Sequence, residues 1–240
     1  MIHKIPLQNI LFLDVETVPM SQDFSQLPEV FKPLWEKKAQ RLKKNDEQTP
    51  ESLFNDCAGI YSEFGKIVCV SAGFFHQEDD KLGFRVKAFY GHDEKELLTL
   101  FAQLLDAHFN TSIHYLCGHN GKEFDFPYLS RRMLVNGIKL PLLLSNQGRK
   151  PWETSLLDTM ELWKFGDYKN YTSLALLAAL FDIPTPKDDI DGSDVARVYY
   201  EDNDLERIAI YCSKDVVTTP RMYLKYLNLG VLDDEYVSFL

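Results

Sequence analysis

The stretch Ile10-Leu11-Phe12-Leu13-Asp14-Val15-Glu16-Thr17 joins an unbroken apolar run to two carboxylates. A short continuous apolar run is typical of a buried strand, which we predict over residues 10–15. Side chains alternate along a strand, so Asp14 and Glu16 point to the same side. Two like charges about 5 Å apart repel by roughly 3 kcal/mol at an effective dielectric constant near 20. A divalent cation is the usual compensation, although the pair alone also fits a solvated strand end.

The segments that follow indicate an α/β fold. Apolar or alternating runs predict further strands at 67–75, 84–90, 113–118 and 155–161. Helical patterns predict helices at 93–108, capped by Asp93, from Asp125 to just before Gly137, and at 172–182, 191–202 and 204–228. Three strands, then alternating helices and strands, then a helical tail favour a mixed five-stranded sheet with helices on both faces.

Residues 20–57 differ in amino-acid composition from the predicted strands and separate the first two of them. They are rich in Gln, Lys, Glu and Asp, and we predict a helical insertion there. Its apolar stripe consists of Trp35, Ala39 and Leu42. The opposite face of the same helix carries a basic stripe: Lys37, Arg41 and Lys44.

Composition limits the class of protein. The chain has 240 residues, of which 45% are hydrophobic and 26% charged, as in ordinary globular proteins. This length fits a single domain over residues 1–240 that includes the insertion. The net charge of −10 argues against a broad basic surface that coats nucleic acid. It is compatible with acidic groups that hold metal.

The cysteines and the apolar segments bear on the compartment. The four cysteines form no C-x-x-C pair, which disfavours a zinc ribbon or a disulfide scaffold and fits reduced thiols. Cys117, His119 and Cys212 also lack the spacing of a zinc site. No signal-peptide pattern follows Met1, and no run of about 18 apolar residues occurs. We therefore expect a cytoplasmic protein without a membrane-spanning segment.

A second carboxylate motif follows the fourth predicted strand. The segment Asn120-Gly-Lys-Glu-Phe124-Asp125-Phe-Pro127-Tyr128-Leu129 opens a helix, with Asp125 where an N-cap belongs. A plain capping role would explain Asp125 alone. The pattern N-x-x-x-F-D-x-P-Y, however, would arise by chance in about one chain in 10⁴ at roughly 5% for each residue type.

A third motif lies in the last predicted helix. Tyr211 and Asp215 are four residues apart, so their side chains share one helical face and can reach one site together. Taken alone, the pair also fits an amphipathic surface. Asp158, in the run Leu156-Leu157-Asp158-Thr159, is either a supporting polar group or a cap at the strand end.

Taken in order, these three motifs carry a resemblance. D-x-E after the first strand, N-x-x-x-F-D-x-P-Y-L and Y-C-x-K-D resemble the exonuclease motifs of the proofreading domain of family-B DNA polymerases. That domain belongs to the DEDD exonuclease superfamily, which has a ribonuclease H-like fold, and Tyr211 resembles the tyrosine of the DEDDy subgroup. The resemblance covers residues 10–228, apart from the insertion. No polymerase palm or fingers fits in the remainder, so the chain looks like a stand-alone exonuclease.

The resemblance implies a mechanism. It implies hydrolysis from the 3′ end of single-stranded DNA with two divalent ions, Mg²⁺ or Mn²⁺, which prefer oxygen ligands. Asp14 would bridge both ions, Glu16 and Asp215 would complete one, and Asp125 would support the other. One ion activates the attacking water, and the other stabilises the leaving 3′ oxygen. Tyr211 would orient the water.

The resemblance also suggests contacts with the nucleic-acid strand. Thr17 and Asn120 would contact the terminal nucleotide or the backbone behind it. Phe124 and Met20 are candidates for packing on the terminal bases, although Phe124 fits the core equally well and Met20 fits a filler role. Cations that would offset the acidic charge are Lys37, Arg41, Lys44, Arg131, Arg132, Arg149 and Lys150. The segment 163–171 mixes lysines and aromatic residues, as single-strand grooves do.

The sequence leaves the substrate open. We favour DNA, with a role in DNA repair, because the polymerase motifs match best. A 3′-5′ exoribonuclease would need the same residues, since 2′-OH recognition depends on pocket detail. A non-catalytic ribonuclease H-like module that binds nucleic acid or protein would predict missing carboxylates, yet all four are present. The acidic charge favours a distributive enzyme on short or single-stranded ends, or one tethered by a protein partner.

Overall fold

The structure of the chain, a computed structural model, describes residues 2–78, 81–167, 171–184, 190–230 and 232–240. Its strands are β1 (Ile10–Pro19), β2 (Gly65–Glu78), β3 (Lys81–Tyr90), β4 (Tyr115–Gly118), β5 (Leu156–Asp158) and β6 (Val237–Phe239). Its helices are α1 (Lys32–Leu42), α2 (Pro50–Cys57), α3 (Glu94–His108), α4 (Asp125–Val135), α5 (Thr159–Lys164), α6 (Leu174–Leu180), α7 (Val195–Arg197) and α8 (Leu205–Tyr226).

The strands form one mixed sheet in the order β5-β4-β1-β2-β3-β6. β1, β2 and β3 pair antiparallel, whereas β4 runs parallel to β1 and β5 parallel to β4. The predicted mixed sheet and ribonuclease H-like arrangement are confirmed, but the described residues contain six strands rather than five. The strand we missed, β6, is three residues long and pairs with β3 at the sheet edge, and so short a segment carries no periodic signal.

Both faces of β1 are covered by helices. Leu11 and Leu13 are buried in a cluster with side chains of α3 and α4. Ile10 and Phe12 are buried in a second cluster that includes Val216 of α8. Because side chains alternate along a strand, Asp14 and Glu16 continue the face that packs on α8. The packing of β1 therefore directs its two carboxylates towards the last helix.

The predicted helical insertion is present as α1 and α2. Trp35 is fully buried and contacts the rings of Phe54 and Phe64, with centroids 5.3 and 5.0 Å away. Its indole N–H donates to the carbonyl of Pro50 at 2.7 Å, which ties α1 to the start of α2. Lys37 and Arg41 are exposed on α1, whereas Lys44, which is also exposed, lies beyond the end of this helix at Leu42 and so is not part of a helical stripe.

The insertion returns to the end of β1. The N–H of Met20 donates to the carbonyl of Phe64 at 2.8 Å. The hydroxyl of Tyr128, on α4, donates to the carbonyl of Gly59 at 2.7 Å. A side chain at Gly65 would clash with that hydroxyl, so the close approach requires glycine there. These contacts hold the insertion against the end of β1 and against α4.

Several predicted elements differ in extent. The strand predicted at 10–15 continues to Pro19, and the strand predicted at 67–75 spans Gly65–Glu78. The strand expected at 155–161 ends at Asp158, because the chain turns there into α5. The helix expected at 191–202 begins at Val195 and continues as a π-helical turn over Val198–Asp202. Asp93 caps α3 as predicted, since its carboxylate accepts the N–H of Glu96.

A buried ion pair joins α3, α4 and β2. Arg132 donates to both carboxylate oxygens of Glu94, at 2.9 and 2.6 Å. Glu94 also accepts the backbone N–H of Ile67, and Arg132 donates to the carbonyl of Ser62. Arg132 is therefore not the surface cation that we expected, whereas its neighbour Arg131 is exposed. The pair fixes α4 relative to the sheet.

None of the helices in the described ranges is both long and apolar enough to cross a membrane.

We predict that Arg132→Gln lowers the free energy of unfolding by about 3–5 kcal/mol, because it leaves the buried Glu94 without its cation. Arg131→Gln is the matched control and should change this free energy by less than about 0.5 kcal/mol, since Arg131 is exposed. Urea denaturation measures both effects. Equal effects of the two substitutions would contradict the structural role of the ion pair.

Candidate active site

The three sequence motifs meet at one edge of the sheet. β1 and β4 are parallel, with Ile10 paired to Tyr115 and Phe12 to Cys117. β4 ends at Gly118, whereas β1 continues to Pro19, so Asp14 lies in the middle of β1 just beyond its pairing with β4. The loop after β4 leads to Asp125 at the start of α4. Parallel pairing thus brings together two motifs that are 110 residues apart in sequence.

The carboxylate of Asp125 is bound to β1. Its Oδ1 accepts the backbone N–H of Val15 at 3.1 Å. The ladder between β1 and β4 ends at Phe12, so this N–H has no strand partner and Asp125 supplies the acceptor. The position given to Asp125 in the sequence analysis was wrong, and so was the alternative of a plain capping role: Phe124 occupies the N-cap position of α4, and no side chain caps the helix there.

α8 completes the cluster from the opposite side. The thiol sulfur of Cys212 lies 3.3 Å from Oδ2 of Asp14 and 3.4 Å from its carbonyl oxygen. Ligand atoms of Asp14, Glu16 and Cys212 all lie within 4.8 Å of one another. Tyr211 and Asp215 flank Cys212 on the same helix. Sequence reasoning considered Cys212 only as a zinc ligand with Cys117 and His119 and missed its contact with Asp14. Its position three residues before Asp215 places both residues on one helical face.

A β-bulge shapes the end of the β1–β2 pair. Glu16 pairs with Cys69 but Thr17 pairs with Ile67, so Val68 is an extra residue on β2. Such bulges re-aim side chains and are frequent next to active sites. The bulge follows directly after the second carboxylate of β1. The side chain of Thr17 then contacts the hydroxyl of Tyr128 on α4.

The carboxylates repel one another. Burial raises the pKa of Asp14 well above its usual value, and the nearby charges of Asp125, Glu16 and Asp215 raise it further. Burial likewise raises the pKa of Glu16, with added repulsion from Cys69, Asp215 and Asp125. Burial raises the pKa of Asp125 to about 7. Four carboxylates from three elements therefore share one site.

Tyr211 belongs to the same site. Burial raises the pKa of its phenol, and the charges of Asp215, Glu16 and Asp14 raise it further. The side chain therefore keeps its proton at neutral pH and can donate a hydrogen bond. A cleft of about 330 Å³ adjoins Tyr211 and Asp215 and is also lined by Tyr171 and Asp191.

Asp158 supports the loop that carries the second motif. Its carboxylate is buried and accepts the backbone N–H groups of Asn120 and Lys122, each at 3.0 Å. It also accepts the N–H of Met160 at 2.9 Å and so caps α5. Asp158 thus serves both roles that the sequence left open, as a supporting polar group and as a cap.

The residues expected to contact substrate lie in different environments. Asn120 adopts a left-handed backbone conformation, with φ of 62°, and its Oδ1 is buried without a hydrogen-bond partner in the described part of the chain. Phe124 is half-buried and its ring centroid lies 5.3 Å from that of Tyr128. Met20 packs against the core of the insertion. Phe124 and Met20 therefore have packing roles in this structure.

The remaining basic and aromatic residues lie mostly at the surface. Arg149 and Lys150 are exposed, and Lys150 lies over the ring of the exposed Trp152, with Nζ 5.2 Å from the centroid. In the segment 163–171, residues 168–170 lie outside the described ranges. The ring nitrogens of His119 contact Thr159 and Thr172, and Cys117 is buried in β4. These two residues do not converge with Cys212 on a zinc site.

The donor set fits hard divalent cations. Carboxylate oxygens are the ligands that Mg²⁺ and Mn²⁺ prefer, and Asp14, Glu16, Asp125 and Asp215 converge here. Bound cations would also relieve the repulsion that raises the pKa values of these groups. The residues present therefore fit a divalent metal centre.

The raised pKa of Asp125 predicts how stability depends on pH without metal. The folded protein holds a proton on Asp125 up to a pH of about 7, whereas the unfolded chain releases it at lower pH. This stabilisation is complete below the unfolded pKa and is lost as the pH rises through about 7. In EDTA, the unfolding free energy of the wild type should fall relative to Asp125→Asn between about pH 4 and 8. Parallel curves from urea denaturation would contradict this.

Comparison with known proteins gives evidence that is independent of the site geometry. A family model described as "Predicted 3'-5' exonuclease related to the exonuclease domain of PolB" matches residues 60–238, which include Asp125, Tyr211 and Asp215. The fold is similar to that of the family B DNA polymerase from the hyperthermophilic archaeon Pyrobaculum calidifontis. The TM-score is 0.51 at 14% identity, over 92% of this chain and 25% of the polymerase. The likeness to polymerase exonucleases is thus confirmed, and the chain belongs to the family of predicted 3′-5′ exonucleases related to the exonuclease domain of family-B DNA polymerases.

Proposed function

We propose that the chain is a single exonuclease domain that removes nucleotides from the 3′ ends of single-stranded DNA by a two-metal mechanism. The observation that carries this proposal is the convergence of Asp14, Glu16, Asp125 and Asp215, with Tyr211 beside them. These residues come from β1, α4 and α8, three segments that are far apart in the sequence. A structural role would not require so many like charges in one partly buried place.

The four carboxylates would hold two Mg²⁺ or Mn²⁺ ions. Their combined charge of about −4 would balance the charge of about +4 on two divalent cations. When bound, such ions polarise the scissile phosphate and lower the pKa of the attacking water. The protein's contribution is to hold the ligands in place before substrate arrives. Val15 does this for Asp125, and Cys212 does it for Asp14.

Tyr211 would position the attacking water. Its phenol keeps its proton because burial and the neighbouring carboxylates raise its pKa. It therefore donates a hydrogen bond and does not act as a general base at neutral pH. Tyr211 and Asp215 are four residues apart on one face of α8, so the hydroxyl would lie beside the metal site.

Several residues would bind the strand near its end. The buried Oδ1 of Asn120 has no partner in the described ranges, which supports a contact with the terminal nucleotide. Thr17 would contact the backbone of the strand, and Phe124 and Met20 would border the bases. The net charge of −10 limits non-specific phosphate binding. We therefore expect distributive action, or tethering by a protein partner.

DNA is the favoured substrate because the family is related to a DNA polymerase exonuclease. An exoribonuclease would use the same carboxylates, so RNA is the second candidate. A role in DNA repair follows from the first candidate. All four cysteines are free thiols, which fits a reducing compartment such as the cytoplasm.

We predict that the protein shortens a 5′-labelled single-stranded DNA oligonucleotide from its 3′ end with Mg²⁺ or Mn²⁺ but not with EDTA. Asp215→Asn should reduce the rate by more than about 100-fold, because it removes a metal ligand. Asp204→Asn is a matched control, since Asp204 caps the start of α8 far along the helix from Asp215. Gel electrophoresis of the digestion products measures the polarity and the rate.

An RNA oligonucleotide of the same sequence decides between the two substrates. A faster rate on RNA would replace DNA as the substrate while leaving the reaction intact. The absence of shortened products with either metal, from protein with an intact fold, would contradict the proposed function.

We predict that Tyr211→Phe lowers kcat by about 10- to 100-fold and changes KM little, because the hydroxyl acts on the water rather than on substrate binding. Tyr223→Phe on the same helix is the control. The Tyr223 hydroxyl is buried without a hydrogen-bond partner in the described ranges, so its removal should leave kcat unchanged. Steady-state kinetics on one oligonucleotide compares the two. An unchanged kcat in Tyr211→Phe, or an equal loss of kcat in both variants, would contradict the assigned role.

A further inference from the structure

An exposed tyrosine outside the three motifs lines the cleft beside the metal centre. Tyr171 borders the same cleft of about 330 Å³ as Tyr211 and Asp215. The residue is 66% exposed, so most of its ring is open to the cleft and to solvent. A single exposed ring is ordinary on a protein surface, so what matters here is its position and how firmly it is held.

The hydroxyl end of Tyr171 is close to the carboxylates. Partial burial of the phenol raises its pKa, and four nearby carboxylates raise it further: Asp215, Asp125, Asp14 and Asp158. The carboxylates come from α8, α4, β1 and the end of β5, so the phenol lies where these elements meet. The ring therefore stands beside the metal centre with its polar end directed inwards.

Contacts on the carboxyl side of Tyr171 hold its backbone in place. In the loop after β4, Nε2 of His119 donates to the carbonyl of Thr172 at 2.8 Å. Ser173 caps α6, because its hydroxyl accepts the N–H of Leu176. α6 in turn packs against α8, the helix that completes the metal centre. Tyr171 is thus tied both to the loop of the second motif and to α8.

The cleft needs a surface that can hold the end of a strand. Met20 packs in the insertion, and Phe124 packs against the ring of Tyr128, so much of the surface of both side chains is already covered. The ring of Tyr171 is open by comparison. Aromatic rings in single-strand binding sites stack on bases of any sequence, because every base has a π face.

We propose that Tyr171 contacts the 3′-terminal nucleotide, with its ring stacked on the terminal base. The inference rests on the proposed function, because it adds a substrate contact to the same exonuclease site. The carboxylates and their ions act at the phosphate, whereas Tyr171 holds the base next to it. Tyr171 therefore acts on binding and orientation of the strand end and does not take part in breaking the bond.

The affinity for two single-stranded DNA oligonucleotides tests the contact without catalysis. One has an intact 3′-terminal base, and the other has an abasic terminal nucleotide. Ca²⁺ replaces Mg²⁺, phosphorothioate linkages protect the 3′ ends, and fluorescence anisotropy of a 5′ label measures binding. Tyr171→Ala should weaken binding of the intact strand by about 10-fold, and binding of the abasic strand by less than about twofold.

Two further variants complete the design. Tyr171→Phe keeps the ring and should restore most of the affinity for the intact strand. Phe239→Ala is the matched control, because it removes a ring of similar exposure, 62%, from β6 at the far edge of the sheet. This control should bind both strands as the wild type does. Circular dichroism checks that each variant is folded, which the exposure of both rings makes the expected result.

Three outcomes would overturn the proposal. The first is an unchanged affinity of Tyr171→Ala for the intact strand. The second is an equal loss of affinity for the intact and the abasic strand, because the side chain would then support the protein rather than the base. The third is a loss in Phe239→Ala as large as that in Tyr171→Ala.

These measurements separate the inference from the function on which it rests. A base-dependent loss in Tyr171→Ala, from a protein that shortens no oligonucleotide with Mg²⁺ or Mn²⁺, would support the contact and contradict the exonuclease. Shortening by the wild type, with unchanged binding in Tyr171→Ala, would support the exonuclease and refute the contact. In an active protein, Tyr171→Ala should raise KM by about 10-fold and change kcat less than Tyr211→Phe does.

Discussion

Mutual repulsion among carboxylates from β1, α4 and α8 is the constraint that this fold has to overcome. Asp14, Glu16 and Asp125 each have a raised pKa, because burial and neighbouring charge disfavour the ionised form. Without a cation, the folded chain must hold protons on these groups or bear their repulsion. A site of this kind is a weak choice for stability and a strong one for binding divalent metal. Contacts elsewhere in the fold must therefore hold these charged groups together.

Packing and backbone pairing on either side of the site hold the carboxylates in place. Asp14 and Glu16 lie in the part of β1 that pairs with β2, so they cannot move apart without breaking this pairing. The ion pair of Arg132 with Glu94 fixes α4, and the Val15 N–H then holds Asp125. Such fixed ligands would cost little reorganisation when metal and substrate bind. The local repulsion is thus balanced by elements that lie outside the site.

Much of this arrangement could be predicted from sequence, because the spacing of residues within a motif shows which side chains share one face of a strand or helix. The alternation of β1 and the four-residue spacing of Tyr211 and Asp215 place their side chains correctly without knowledge of the fold. The sequence could not show that Asp125 accepts a strand N–H, because that depends on where the β1–β4 ladder ends. It also gave no sign that Arg132 is buried, since its partner Glu94 is distant in the chain. Contacts between distant segments were the part that local pattern could not supply.

The central claim is that these carboxylates bind two divalent ions. Anomalous diffraction from a crystal soaked in Mn²⁺ tests this most directly, because it locates the metal independently of activity. We predict two manganese peaks about 3.5–4 Å apart, with Asp14 between them and Glu16, Asp125 and Asp215 around them. A crystal in which these carboxylates are ordered but no manganese lies among them would contradict the account.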